Sequence, residues 1–414
     1  MLDDINVKIG AFRFTTANRL TRFALMIQTI PLRQLTIGMY IVEIPGHPQL
    51  SVRQQGVIRS PQVLRLLQQQ GVASVMVDFD RSSATLHPQP GTNNQSQATS
   101  VTKTNAANFS EELPRAQKLY NQARKLQQRT MENLLHGDGI DLQAIDKTAE
   151  AFIDSIFRNA DALGCLRLLR DKDEYLLEHS IGVTILMVMF AKHLQISGQQ
   201  LHDLCVGALL HDVGKIRVPD KVLQKPGKLS DAEFVIMKSH AMYSREIMNQ
   251  TEGLSPIARE VAAQHHEKLD GSGYPMGLKG DQISHYGRMI AICDIYDALT
   301  ADRVYRPGML PIQALKILAS MAPHHLDEQL LRQFIHCVGL YPPGSFVELA
   351  SGHLALVLES NSNPLLPMVK VIYNVRTNER VMHEQIDLAG PYNRDKIVRA
   401  VKLDDYRLDP KDYL

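Results

Sequence analysis

The chain has 414 residues, with 45 Lys plus Arg against 44 Asp plus Glu and a formal charge of +1. That is long enough for two or three domains, and it leaves no global field to gather nucleic acid or an anionic membrane. With 44% hydrophobic and 21% charged residues, the composition excludes wholesale disorder and supplies apolar side chains for real cores.

Cys165, Cys205, Cys293 and Cys337 stand far apart with no CxxC pair. This argues against a disulfide framework or a thiolate zinc site and fits a reducing cytoplasm. The longest apolar run, Ile181 to Ala191, contains Gly182 and Thr184 and is far shorter than the roughly 18–20 residues of a membrane span. The first residues carry Asp3 and Asp4, then scattered Arg13, Arg19 and Arg22, which does not read as a secretion signal.

Residues 1–28 show no clean period and are left unassigned, with translation from Met26 as an alternative that intact mass would settle. Residues 29–80 read as a small α+β module. Met39 to Ile44 suits a strand, Ser60 and Pro61 open a helix through Leu64, Leu66 and Leu67, and Gly71 ends it before the strand Ser74 to Val77. Residues 81–112 are rich in Ser, Thr, Asn, Gln, Pro and Gly, a composition that cannot offset its own ordering entropy, and are expected to form a flexible linker.

From Leu113 to Leu135, again from Leu142 to Leu163, and on to Val338, apolar residues recur at three and four. The body, residues 113–344, is therefore expected to be all-helical. Phe346 to Leu349, His353 to Glu359 and Met368 to Tyr373 read as strands of a small β appendage over 345–405, followed by a tail at 406–414. The predicted fold class is mainly α, with a small module at each end.

Eight of the 16 histidines lie between His179 and His285. Five of them, His179, His211, His240 and the adjacent His265 and His266, have charged or polar neighbours in otherwise apolar helical stretches, as have Asp212 and Asp294. A lone helical histidine is usually a hydrogen-bonded core or surface residue. Burying seven such groups unpaired, however, costs several kcal/mol each, a cost that a bound metal removes. Seven nitrogen and oxygen ligands without a thiolate exceed one tetrahedral zinc site and suit two six-coordinate ions, iron or manganese, with Asp212 as the natural bridge.

His211-Asp212 with the upstream His179 resembles the HD superfamily of metal-dependent phosphohydrolases. The run from His265 through Asp270-Gly271-Ser272-Gly273-Tyr274-Pro275 is similar to the signature of its HD-GYP subgroup. The resemblance spans roughly Asp173 to Arg306. It implies an HD-type helical bundle, hydrolysis of the bacterial second messenger cyclic di-GMP to pGpG or GMP, and ligand positions at His179, His211, Asp212, His240, His265, His266 and Asp294. Members with a third metal carry an extra Glu one helical turn before the first His. Tyr175 stands there, with Glu174 and Glu178 nearby, so two metals are expected. Residues Leu35 to Asp78 resemble a domain of unknown function often found ahead of HD-GYP domains.

Phosphodiester hydrolysis needs an aligned nucleophile and positive charge at the non-bridging oxygens. Two ions about 3.5–4 Å apart supply both through a bridging hydroxide, without a serine or cysteine nucleophile. Lys215 is expected to set its ammonium against the phosphate, although a solvated charge at a helix C-terminus is the plain alternative. Arg303 and Arg306 match family positions that contact the dinucleotide, where a guanidinium can fork onto phosphate or stack on guanine. Asp297, three residues after Asp294, is read as a partner that orients a histidine. In the family the Gly-Tyr-Pro loop borders the site and has been linked to protein partners, so Tyr274 is a candidate contact. A homodimer is a further association left open, while nucleic-acid binding is disfavoured because no basic stripe or stacking aromatics stand out. Competing readings are a non-catalytic cyclic-dinucleotide sensor and a hydrolase of another cyclic dinucleotide.

Overall fold

In the computed structural model the described residues are 27–32, 35, 39–44, 56–58, 61–72, 74–78, 106–169, 175–302, 307–361, 363, 365–391 and 393–413. Met26, Glu174, Arg303, Arg306 and residues 81–105 of the expected linker lie outside them. The chain divides into two compact units, one formed by Thr15–Thr104 and the other by Met1–Phe14 with Asn105–Leu414.

In the smaller unit, strands β1 (Ile27–Pro31), β2 (Tyr40–Glu43), β3 (Gly56–Val57) and β4 (Ser74–Asp78) make an antiparallel sheet in the order β1-β4-β2-β3. Helix α1 (Pro61–Gln69) begins on a proline, whose missing N–H costs nothing there. Gly71 ends it with φ +72. Alternation carries Val75 and Val77 of β4 into a core with Leu35, Met39, Ile41, Ile58 and Leu67. Strand β1 begins inside the stretch left unassigned, and β3 is too short to show a period.

The larger unit opens with α2 (Phe109–His136), which starts four residues before Leu113 and so takes in residues read as linker. Asn108 caps it, its side chain accepting from the Glu111 amide at 2.9 Å. Glu112 is buried and takes Ser155 Oγ at 2.7 Å and a forked Arg158, which ties α2 to α3 (Leu142–Leu168). Helix α3 bends at Asn159, whose side chain caps the following turn at Asp161 and Ala162.

Helix α4 (Tyr175–His193) is apolar nearly all round, with Ile181, Val183, Ile185, Met187 and Phe190 each 0% exposed, as a central helix requires. It is followed by α5 (Gly198–Leu210), the short α6 (Asp220–Leu223), α7 (Asp231–Gln250), α8 (Pro256–Gln264), α9 (His285–Thr300), α10 (Pro311–Met321) and α11 (Glu328–Val338), of which α5, α9 and α11 pack on it together with α2 and α3. No helix among the described residues is long and apolar enough to cross a membrane.

Strands β5 (Phe346–Leu349), β6 (His353–Glu359) and β7 (Met368–Asn374) are joined by β8 (Glu379–Arg380), β9 (Gln385–Asp387) and β10 (Ile397–Val401). Their order is β10-β5-β6-β7-β8, with β9 also on β7. The last three strands are short or carry exposed charges, so no alternation marks them. The terminal residues fold back, and the carbonyl of the buried Tyr413 accepts from Lys370 Nζ at 3.0 Å.

Candidate metal centre

Five segments deliver the seven polar side chains. His179 stands in the second turn of α4, and His211 caps the C-terminus of α5, with Asp212 next to it. His240 lies midway along α7, His265 caps α8 with His266 beside it, and Asp294 is on α9. All seven are buried, with His211 and His265 at 0% exposure.

The rings share one device. His211 Nδ1 faces the Ala208 carbonyl at 2.7 Å, His240 Nδ1 the Met237 carbonyl at 2.6 Å, and His265 Nδ1 the Ala262 carbonyl at 2.7 Å. Each acceptor lies three residues back. For His211 and His265 it lies in the last turn of the helix, where carbonyls lack an intrahelical partner. His179 Nδ1 donates instead to Asp297 Oδ2 at 2.8 Å. A neutral ring carries one hydrogen, and with Nδ1 donating it to its carbonyl or carboxylate anchor all four rings turn an Nε2 lone pair inward.

Those lone pairs converge on one another and on carboxylates. His240 Nε2 is 3.4 Å from His265 Nε2, and His179 Nε2 is 2.9 Å from Asp294 Oδ1. Asp212 sits between the groups: Oδ2 is 3.2 Å from His211 Nε2 and 3.6 Å from His179 Nε2, while Oδ1 is 3.4 Å from His240 Nε2 and 3.8 Å from His265 Nε2. Donor atoms of His240, His265 and His266 fall within 4.8 Å of one another, and so do those of His179, His211 and Asp294. Two triads share one carboxylate.

His211 Nε2, His266 Nδ1 and Asp212 Oδ1 are buried without a hydrogen-bond partner. Lone pairs facing lone pairs cannot satisfy each other, and a divalent cation satisfies them all. Burial pushes the His240 imidazole down to about 3, helped by His266, and holds those of His265 and His266 low as well. Burial would raise the Asp212 carboxyl, but Lys215 and His211 outweigh it and hold it well below the usual range. The His179 and His266 imidazoles beside Asp294 do the same for its carboxyl. Neutral imidazoles and ionised carboxylates are the ligating forms, so the donor set fits divalent metal.

The remaining predicted residues divide. Lys215 lies in a 3₁₀ turn (Val213–Arg217), because α5 stops at Leu210, and its Nζ is 2.5 Å from Asp212 Oδ2. Asp297 joins His179 to the buried Arg167, whose Nη1 is 3.1 Å from Asp297 Oδ1. Asp297→Ala is expected to weaken manganese binding about 10–100-fold, which titration of the metal-free protein would read. Glu178 faces away, since its carboxylate is taken by Tyr120 and Arg124 on α2.

In the loop, Asp270 Oδ1 accepts from the amide and hydroxyl of Ser272, and Gly271 adopts φ +84. The other glycine is needed for room rather than for a positive φ, because a Cβ on Gly273 would lie 2.5 Å from Glu267 Cα and 2.6 Å from the His266 carbonyl. Tyr274 packs on His266 with ring centroids 4.6 Å apart, and Pro275 follows it. Glu267, to which the sequence reading gave no role, clamps the loop by accepting from the amides of Met276 at 2.8 Å and Leu278 at 2.9 Å. Its position beside two histidines was the available signal.

The HD domain family model matches residues 165–330, and that of a domain of unknown function (DUF3391) matches 27–145, running through α2. A cyclic di-GMP phosphodiesterase of Pseudomonas aeruginosa is 32% identical over 383 residues, covering 90% of this chain and 92% of that protein. A 3'3'-cGAMP-specific phosphodiesterase of Vibrio cholerae is 38% identical over 176 residues, 42% of this chain and 38% of that protein. A cyclic di-GMP phosphodiesterase of Thermotoga maritima is 33% identical over 198 residues, 46% and 53% of the two chains.

Proposed function

The chain belongs to the HD-GYP family of HD-domain proteins, and on that premise we propose that it hydrolyses cyclic di-GMP to pGpG or GMP. The observation that carries the reading is the convergence of four histidine Nε2 lone pairs on Asp212 between two ligand triads. Likeness to the Pseudomonas protein along nearly its whole length supports the substrate.

Two ions, iron or manganese, would be held by His179, His211, Asp212, His240, His265, His266 and Asp294. Bound there, they would offset the charge developing on the phosphate and make water acidic enough to attack phosphorus. The protein's own share is positional. Nδ1 anchors keep the rings of His179, His211, His240 and His265 in the ligating tautomer, and Asp212 offers one oxygen to each side. Lys215 holds a positive charge at the edge of the cluster, where a non-bridging phosphate oxygen can take it. Tyr274 walls the His266 side, and Arg303 and Arg306 are assigned to the dinucleotide through the family pattern alone. Water adds hydroxyl to phosphorus, the phosphorus–sugar oxygen bond breaks, and the leaving oxygen takes the proton.

A second substrate, 3'3'-cGAMP, is favoured by the Vibrio relative, which matches only part of the chain. Metal-loaded protein is expected to carry close to two ions by elemental analysis and to turn cyclic di-GMP into linear products faster than 3'3'-cGAMP. The reverse preference would reassign the substrate. Two bound ions with no cleavage of either nucleotide would point to a sensor.

A further inference from the structure

Helix α2 supplies none of the seven ligands, yet it reaches the two segments that carry three of them. Tyr120 Oη donates to Glu178 Oε2 at 2.5 Å, and Arg124 Nη1 lies 3.8 Å from Glu178 Oε1. Glu178 is 2% exposed and immediately precedes His179. Further along the same helix Gln127, 1% exposed, donates Nε2 to the Leu209 carbonyl at 2.6 Å. Leu209 stands two residues before His211. Tyr120, Arg124 and Gln127 are spaced i, i+4 and i+7, so they share one helical face.

We infer that this face of α2 positions the metal centre, with Tyr120 setting the start of α4 and Gln127 setting the end of α5. The inference rests on the reading that the cluster holds metal. At the end of α5, Gln127 occupies the Leu209 carbonyl while the His211 ring occupies that of Ala208. Adjacent carbonyls of one turn are thus both pinned, and the chain leaves them in the direction that aims His211 and Asp212 inward. At α4 the Glu178 carboxylate is held by the Tyr120 hydroxyl. Without that hydroxyl the buried carboxylate loses a donor, and leaving it under-satisfied is costly enough to favour a shift of the turn that carries His179. Neither Tyr120 nor Gln127 bonds a ligand side chain directly, so both are positioning residues.

The test uses the full chain with Tyr120→Phe, which removes one oxygen and keeps the ring, and separately Gln127→Leu. Metal-free protein is titrated with Mn²⁺ alone, and thermal melting is followed in parallel. Each substitution is expected to weaken Mn²⁺ binding about tenfold, the lower end of the effect of losing a ligand's own partner. Adding Glu178→Gln to Tyr120→Phe replaces the carboxylate that has lost its hydroxyl donor with a neutral amide and is expected to restore most of the affinity. A purely structural role would lower the melting temperature of both variants while leaving affinity within about twofold of wild type, and that result overturns the inference. Wild-type protein that binds Mn²⁺ tightly but cleaves no cyclic dinucleotide would sink the proposed activity and leave this inference to be read from affinity. Wild-type protein that binds no Mn²⁺ would overturn both.

Discussion

Asp212→Ala is expected to abolish metal loading and hydrolysis together, with the rate falling on the order of a thousandfold or more. The surroundings of the carboxylate set the size of this effect. It is 2% exposed and faces Lys215 at 2.5 Å, His211 at 3.2 Å and His240 at 3.4 Å, so it supplies the negative charge at the centre of the cluster. Removing it leaves Asp294 as the one carboxylate among the seven groups to offset two dications. Breaking a buried charge cluster by removing one partner costs about 3–5 kcal/mol, which converts to about two to four decades in an equilibrium or a rate. Elemental analysis and initial rates on the same preparation check it. An Ala variant that still held two ions would move the shared carboxylate to another residue, and full activity would remove Asp212 from the reaction.

What the sequence makes legible follows from the reach of each signal. Caps and apolar periods are local, so α1 and strands β5 to β7 can be read residue by residue. Residue chemistry and the family pattern together single out seven side chains, and the fold brings all seven into one cluster. The Nδ1 anchors are less visible, because a carbonyl three residues back becomes an acceptor only when a helix ends there or the ring bends toward it. Asn108 and Asn159 sit in polar surroundings that resemble a linker and a helix surface, which hides a cap and a bend. Tyr120, Arg124 and Gln127 carry no mark of a role in the sequence, since nothing local says that Glu178 and the Leu209 carbonyl lie opposite.

The same distinction between local and long-range signals governs Gly214, which in sequence is only a small residue after Asp212. A Cβ there would lie 2.1 Å from the His240 carbonyl oxygen and 2.2 Å from the Ser244 amide nitrogen, both backbone atoms that cannot swing aside. The Gly214 amide also donates to Ser244 Oγ at 2.9 Å. In Gly214→Ala the 3₁₀ turn must therefore back away from α7, which draws Asp212 away from His240, now 3.4 Å from its Oδ1. Overpacking of this kind costs about 1–3 kcal/mol, a fall in melting temperature of roughly 2–10 °C. Displacing reacting groups by about 1 Å costs on the order of a hundredfold in rate. Gly139→Ala supplies the contrast. Gly139 has φ +76 and no atom within 4 Å of an added Cβ, so its substitution is expected to cost about 1 kcal/mol in stability with turnover unchanged. Melting curves and rates measured on both variants separate the effects: equal loss of activity in the two would mean that general destabilisation, and not the separation of Asp212 from His240, governs the site.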